Sequence, residues 1–179
     1  MKILLSPDPM LRQVCKPVET GDKSVKRLAK QMLKEMYKAY GVGLAAPQVG
    51  ELIRMVVIDT DYTQEDEEGN PLKKNPLVFI NPTIVDHSEE RVVNPEGCLS
   101  VPGISVEIER WAWVKVECLD ENFEKVTREG DGLFGQCMQH ELDHLDGITL
   151  FERLEGMQRL EAIEAYKKAL EAGAQPGDV

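Results

Sequence analysis

The segment His140-Glu141-Leu142-Asp143-His144 constrains this chain more than any other, because it places two of the three histidines on one predicted helix. The apolar residues of positions 133–145 recur around most of the helix circumference, so we expect this helix to be buried. Residues four apart share one helix face, separated by a rise of about 6 Å, so both imidazoles can bind one metal ion. Glu141 lies about 100° further round the helix and can reach water on that ion. Burying these polar groups unpaired would cost on the order of 2 kcal/mol each, which favours a metal site over a purely structural core.

The rest of the chain has no structural need for a metal. A chain of 179 residues can form its own hydrophobic core, so we expect one domain over residues 1–179. Four widely separated cysteines without a C-x-x-C pair are typical of thiols in a reducing compartment. A metal bound here would therefore serve function.

The charge balance bears on partners and location. The formal charge of -11 argues against broad affinity for nucleic acid, so no direct nucleic-acid partner is expected. No apolar run approaches the roughly 18 residues needed to cross a bilayer, and the amino-terminal segment is too short for a signal peptide. The sequence predicts a cytoplasmic protein without membrane contact.

The identity of a third metal ligand would decide the class of site, since catalytic sites of this kind combine three protein ligands with one position open to water. The extended metalloprotease pattern requires a histidine where this chain has Leu150, which excludes that family. A thermolysin-like site would take Glu161 or Glu164 from a later helix. Cys98, bracketed by turn formers in residues 95–103, is the better candidate, whereas Cys137 lies too far along the histidine helix. Spacing alone leaves the third ligand open.

Hydrophobic periodicity predicts an α+β fold, with mainly antiparallel strands packed around the buried helix. An amphipathic helix is expected over residues 24–40, with Ser24 as its N-cap, and residues 59–75 form a charged, solvated excursion. A carboxyl-terminal helix over 157–172 precedes a frayed tail at 173–179. The predicted strands are residues 55–59, 78–81, 83–86 and 111–119, the last with alternating apolar positions.

Three segments together resemble a known family. GVGLAAPQ at residues 41–48, EGCLS at 96–100 and QHELDH at 139–144 are similar, in the same order, to the three signature motifs of peptide deformylases. The resemblance covers about residues 1–154 and is far more specific than H-E-x-x-H alone. It implies a hydrolase that removes the N-formyl group from the initiator methionine of new polypeptides and releases formate.

The resemblance also implies roles for individual residues. Cys98, His140 and His144 would hold one divalent metal ion, typically Fe(II) in this family, with Zn(II) or Ni(II) also able to bind. Glu141 would act as general base and acid toward metal-bound water, the nucleophile.

Other positions match the groups that surround the reacting carbonyl. The Gln48 side-chain amide and the Leu99 backbone N–H would donate hydrogen bonds to the oxyanion. Pro95 and Gln136 depart from the family pattern, which affects the shape of the pocket and not the reaction. The residues expected to contact substrate are Val42, Gly43, Gly97 and Arg110.

Two rival functions remain at this point, with one open question about partners. One rival is a metallopeptidase that cuts internal peptide bonds, and the other is a metal-binding module without turnover. The presence of both Glu141 and Gln48 argues against the second, because metal binding needs neither. The expected partner is an N-formyl-methionyl peptide, and a weak ribosome contact through the carboxyl-terminal helix is a further hypothesis.

Overall fold

Helix α2 (Gly132–Leu145), which carries the H-E-x-x-H segment, packs among antiparallel strands in the computed structural model of the chain. The structure describes residues 1–64 and 73–178, so the acidic stretch 65–68 of the predicted excursion lies outside it. The expected α+β class and the carboxyl-terminal helix are confirmed. The described strands are β1 (Gly43–Ala45), β2 (Met55–Ile58), β3 (Leu77–His87), β4 (Arg91–Cys98), β5 (Val101–Trp111), β6 (Trp113–Leu119) and β7 (Lys125–Asp131), and the other helices are α1 (Ser24–Lys38), α3 (Leu150–Arg153) and α4 (Gly156–Glu171).

The larger sheet contains five strands in the order β1-β2-β3-β6-β7, and each pairing is antiparallel. The sequence predicted two strands separated by Pro82, whereas β3 runs through this residue. The register of β3 against β6 shifts between Ile80 and Thr83. Proline has no N–H to donate, and this irregularity in the ladder accommodates it.

Strand β6 shows the predicted alternation, because Val114, Val116 and Cys118 are buried against the core. Cys118 is therefore a core residue, as its position in the pattern suggests. Trp111, expected at the start of this strand, instead ends β5.

The smaller sheet is the hairpin of β4 and β5, which was not predicted from the sequence. Most of β4 is at least partly exposed, and its polar residues and Pro95 hide the usual strand pattern. Its two buried residues are Glu96 and Cys98. Cys98 thus ends a strand, whereas the sequence suggested a turn-rich loop.

Helix α1 confirms the amphipathic pattern, with Val25, Ala29, Met32 and Met36 buried. Ser24, expected as the N-cap, is the first helical residue instead. Its backbone N–H donates to the Asp22 carboxylate at 2.8 Å, so Asp22 supplies the side-chain acceptor at this helix end.

Helix α4 lies within one residue of its predicted bounds and packs against β5. Its buried Tyr166 hydroxyl donates to the Ser6 carbonyl oxygen at 2.9 Å, which links the helix to the amino-terminal segment. The tail contacts β5, since the Gly103 N–H donates to the Asp178 carbonyl oxygen at 2.8 Å, and the fraying expected for residues 173–179 stays a prediction. Across residues 1–64 and 73–178, no helix combines the length and apolar character that crossing a bilayer requires.

Close backbone packing fixes α2 against β7. Ten of the fourteen residues of α2 are buried, as its pattern predicts. A Cβ at Gly135 would lie 2.5 Å from the Gly130 carbonyl oxygen of β7, a backbone atom that cannot rotate away. Glycine at this position lets the helix approach the strand.

We therefore expect Gly135→Ala to lower the free energy of unfolding by roughly 1–3 kcal/mol, despite the better helix propensity of alanine. Leu133→Ala, in the same helix at a side chain that is 44% exposed, is the matched control and should cost less. Urea unfolding followed by circular dichroism measures both. Equal stability of Gly135→Ala and the unsubstituted protein would contradict close packing at this junction.

Candidate metal centre

Two imidazoles converge on one face of α2, one helical turn apart. His140 and His144 are both buried, and their ring centroids lie 5.0 Å apart. This is the arrangement expected for residues four apart on a helix. Their common face is directed toward the end of β4.

Cys98 completes this cluster from the β4–β5 hairpin. Its Sγ lies 3.2 Å from His144 Nε2, and one ligand atom from each of Cys98, His140 and His144 lies within 4.8 Å of the other two. Of the alternatives for the third ligand, the structure thus brings Cys98 next to the two histidines. Glu161 and Glu164, the thermolysin-like alternative, are exposed on α4.

Cys137 lies beside this cluster without joining it. A Cβ at Gly43 would fall 2.7 Å from Cys137 Sγ, which places the thiol against β1. Burial, assisted by the Glu141 carboxylate, raises the pKa of Cys137 well above its usual value. A neutral thiol that packs against a strand fits its expected role as part of the lining.

The donor set at the cluster suits a divalent transition metal, since one thiolate and two imidazoles bind zinc or iron. His140 Nδ1 hydrogen-bonds to Glu96 Oε2 at 2.8 Å, which leaves Nε2 as the ring nitrogen available to a metal. Burial holds the pKa of His144 well below its usual value, so its ring is neutral, the form that binds metal. The residues present therefore fit a metal ion.

A buried network of ion pairs contacts His140 of this cluster through Glu96. Arg110 Nε and Nη2 donate to the two oxygens of Glu96 at 2.8 and 2.9 Å, and its Nη1 donates to Asp143 Oδ2 at 2.6 Å. Arg153 also binds Asp143, with Nε 2.8 Å from the same Oδ2 and Nη2 donating to Oδ1. Burial alone would raise the pKa of Glu96, but its hydrogen bonds with Arg110 and His140 outweigh this and lower the pKa to about 2.

This network corrects the expectation for Arg110. The sequence resemblance implied a substrate-side arginine, whereas Arg110 is 3% exposed and does not line the cavity beside the cluster. Its guanidinium is occupied by Glu96 and Asp143. Arg110 therefore holds Glu96 and Asp143 in place next to the histidines, and it does not contact the cavity where substrate is expected.

Glu141 is buried next to the cluster and faces the same cavity. Its Oε2 has no hydrogen-bond partner within the described part of the chain. Burial raises its pKa to about 7, so the carboxyl can both accept and return a proton near neutral pH. Its Oε1 would contact a Cβ at Gly43, which shows how closely β1 approaches this carboxylate.

Gln48 has a fixed orientation above the cysteine. It lies in a short 3₁₀ helix, Ala46–Val49, where its Oε1 accepts a hydrogen bond from the Ala45 N–H at 2.8 Å. Its Nε2 donates to Ser100 Oγ at 3.1 Å and approaches Cys98 Sγ at 3.6 Å. The amide N–H groups are therefore directed toward the cluster.

A cavity of about 220 Å³ opens beside these groups. All the residues expected to act on substrate, with the exception of Arg110, line it. They are Val42, Gly43, Gln48, Gly97, Leu99 and Glu141, together with the candidate ligands Cys98 and His140.

Sequence reasoning missed several groups around the cavity. The Glu96–His140 and Asp143–Arg110 contacts join segments 44 and 33 residues apart, and nothing in the local pattern indicates them. Glu96 did lie inside a recognised motif, which could have marked it as a candidate. Gly177 and Asp178 of the tail also line the cavity, and no sequence signal indicated that.

Comparison with known proteins gives a consistent result. The family model described as polypeptide deformylase matches residues 1–160. A peptide deformylase of Brucella suis is 45% identical over 166 residues, covering 93% of this chain and 91% of the relative. That of Rhizobium meliloti is 46% identical over 167 residues, covering 93% and 92%.

Solved structures show the same similarity. A peptide deformylase from Legionella pneumophila matches with a TM-score of 0.83 at 40% identity, covering 96% of this chain and 97% of that one. One from Ehrlichia chaffeensis, in complex with actinonin, matches with a TM-score of 0.83 at 39% identity, covering 94% and 96%.

The network predicts a large effect of Arg110→Met, which keeps the length of the side chain but leaves the buried Glu96 without its guanidinium and Asp143 with Arg153 alone. We expect the free energy of unfolding to fall by roughly 3–5 kcal/mol in urea denaturation. The control is Arg91→Met, because Arg91 pairs with Glu109 at 3.2 Å on the surface and should contribute less than about 1 kcal/mol. Similar losses in both variants would contradict the role of Arg110.

Proposed function

The chain belongs to the peptide deformylase family, and from that premise we propose that it deformylates formyl-methionyl peptides through Glu141, Gln48 and the Leu99 backbone amide. Membership makes it a metal-dependent hydrolase. The observation that carries the proposed chemistry is the position of Glu141. Its carboxylate is buried and faces the cavity shared with the candidate ligands.

Cys98, His140 and His144 would hold the metal, and we propose Fe(II), with Zn(II) and Ni(II) as other occupants. Such an ion, when bound, activates water as a nucleophile and polarises the formyl carbonyl. The remaining contributions come from the protein. Glu96 fixes the ring orientation of His140, and Arg110 in turn fixes Glu96.

Glu141 moves the proton in the proposed reaction. Its carboxylate accepts a proton from the attacking water, and the protonated carboxyl then donates it to the amide nitrogen as the C–N bond breaks. Formate and a free methionine amino group are the products. A pKa of about 7 suits both steps, and such a group is typically worth about 10²- to 10⁴-fold in rate.

Gln48 and Leu99 would stabilise the negative charge on the formyl oxygen in the transition state. The Gln48 amide is held by Ala45 and Ser100, so it needs no reorganisation when substrate binds. The Leu99 N–H, at the turn between β4 and β5, makes no backbone hydrogen bond within residues 1–64 and 73–178. Both donors lie on the lining of the same cavity.

Strand β1 supports peptide binding because it is an edge strand of the five-stranded sheet. An extended peptide can add to such an edge through main-chain hydrogen bonds. Val42 and Gly43 on this side, and Gly97 on the other, would contact the peptide backbone. The absence of a side chain at Gly43 keeps the space between β1 and Glu141 open.

Pro95 and Gln136, which depart from the family pattern, contact each other at the rim of this cavity. Gln136 Nε2 donates to the Pro95 carbonyl oxygen at 3.2 Å, and both residues line the cavity. We propose that this pair shapes the pocket for the methionine side chain.

The central test is formate release from formyl-Met-Ala-Ala. We expect the unsubstituted enzyme to release formate and a free methionine amino group without internal cleavage. Glu141→Gln should keep its bound metal and lose about 10²-fold or more in kcat, because only proton transfer is removed. Glu164→Gln, an exposed carboxylate on α4, is the control. Full activity of Glu141→Gln would overturn the mechanism, and internal cleavage would favour the metallopeptidase alternative.

The third ligand is tested by metal content after anaerobic purification. Cys98→Ala should lose most of its bound metal, since it removes one of three ligands. Cys137→Ala deletes a buried thiol of the same type beside the cluster and should retain metal. Loss of metal from Cys137→Ala together with retention by Cys98→Ala would contradict the assignment.

A further inference from the structure

The carboxyl-terminal tail forms part of the wall of the candidate active-site cavity. After α4 the chain turns back, and the Asp178 backbone carbonyl accepts a hydrogen bond from the Gly103 N–H of β5 at 2.8 Å. A turn closed by Gln175 and Asp178 holds the segment, with the Gln175 N–H 2.7 Å from Asp178 Oδ2 and the Asp178 N–H 3.0 Å from the Gln175 carbonyl oxygen. The last described residue therefore has a defined place.

Gly177 brings the tail against the end of α1. A Cβ on Gly177 would lie 2.5 Å from the Ala39 carbonyl oxygen, and its φ of 104° is one that residues with a Cβ rarely adopt. Ala39, Gly177 and Asp178 all line the cavity. The tail thus extends from β5 to the end of α1, next to the cavity.

Tyr40, the residue after Ala39, is the exposed aromatic group of this rim. Its side chain is 84% exposed although it lines the cavity, and its φ of 52° lies in the left-handed region. Such a conformation is unfavourable for a tyrosine and is maintained by its surroundings. The Tyr40 ring is therefore exposed to solvent beside the cavity.

Asp178 is the exposed charge at the same rim. Among the described lining residues, the other carboxyl groups and the histidine are buried, namely Glu96, Glu141 and His140. No Lys or Arg of the described chain forms an ion pair with Asp178. Its Oδ2 accepts the Gln175 N–H, and the exposed carboxylate can still accept from a cationic ligand.

We propose that Tyr40 and Asp178 form a subsite for a basic side chain in the residues that follow the formyl-methionine. This inference rests on the proposed deformylase function and extends it to sequence preference. A lysine or arginine can lay its aliphatic stem along the tyrosine ring while its cation approaches the carboxylate. Both groups line the cavity and are exposed to solvent, so a side chain of a bound peptide can reach them.

The experiment compares kcat/KM for formyl-Met-Lys-Ser with formyl-Met-Glu-Ser, and for formyl-Met-Ser-Lys with formyl-Met-Ser-Glu. We expect a preference for lysine in at least one pair, expressed in KM and weakened by high salt. Asp178→Asn should reduce the lysine-to-glutamate ratio about two- to fivefold, as for an exposed ion pair, and Asp178→Lys should invert it. Tyr40→Ser should also reduce the lysine-to-glutamate ratio of kcat/KM.

Glu89→Gln is the matched control, since it removes one exposed negative charge away from the cavity. It separates local recognition from attraction by the net charge of the whole protein. Gly177→Ala, which should displace the tail from Ala39, is expected to reproduce the loss seen with Asp178→Asn.

Two kinds of failure can be told apart. An unchanged lysine-to-glutamate ratio in Asp178→Asn and Asp178→Lys, or an equal change in Glu89→Gln, would overturn the subsite while leaving deformylation intact. Absence of formate release from every peptide would instead overturn the proposed function.

Discussion

The rest of the site depends on one buried interaction, the contact of Glu96 with Arg110 and His140. Glu96 comes from β4, Arg110 from β5 and His140 from α2, so a single carboxylate joins the hairpin to the histidine helix. A buried ion pair of this kind adds little stability compared with well-packed apolar residues. Removal of only one partner, however, lowers the free energy of unfolding strongly, because the other charge stays buried without its partner. Its contribution is positional, because it fixes both the imidazole ring and the place where Cys98 meets it.

Close backbone approach is the second constraint, and it explains the glycines around the cavity. A side chain at Gly43 would collide with Glu141 and Cys137, and a Cβ at Gly41 would lie 2.6 Å from Leu99 Cδ1. The first contact keeps β1 near the Glu141 carboxylate, and the second keeps the turn at Leu99 near the segment that precedes β1. Main chain thus forms part of the cavity lining at Gly41 and Gly43.

Local periodicity predicted the elements that have one buried face. The bounds of α1, α2 and α4, and the alternation of Val114, Val116 and Cys118 in β6, follow from such patterns. Strands β4 and β7 were missed because most of their positions are exposed or half-buried, and β5 was missed although Ile104, Val106 and Ile108 alternate with polar residues. Ser24 was a reasonable N-cap from its residue type, yet Asp22 supplies the acceptor, since the exact start of a helix depends on backbone geometry.

The sequence alone determined that His140 and His144 share a helix face with Glu141 nearby, because helical geometry acts over four or five residues. Only the tertiary structure decided that Cys98, 46 residues before His144, and not Glu161 or Glu164, meets them. It also placed Arg110 against Asp143, away from the cavity, and brought Asp178 to the cavity lining. The physical reason is that periodicity encodes which face of a segment is buried, whereas the partner of that face is set by packing between segments distant in the chain.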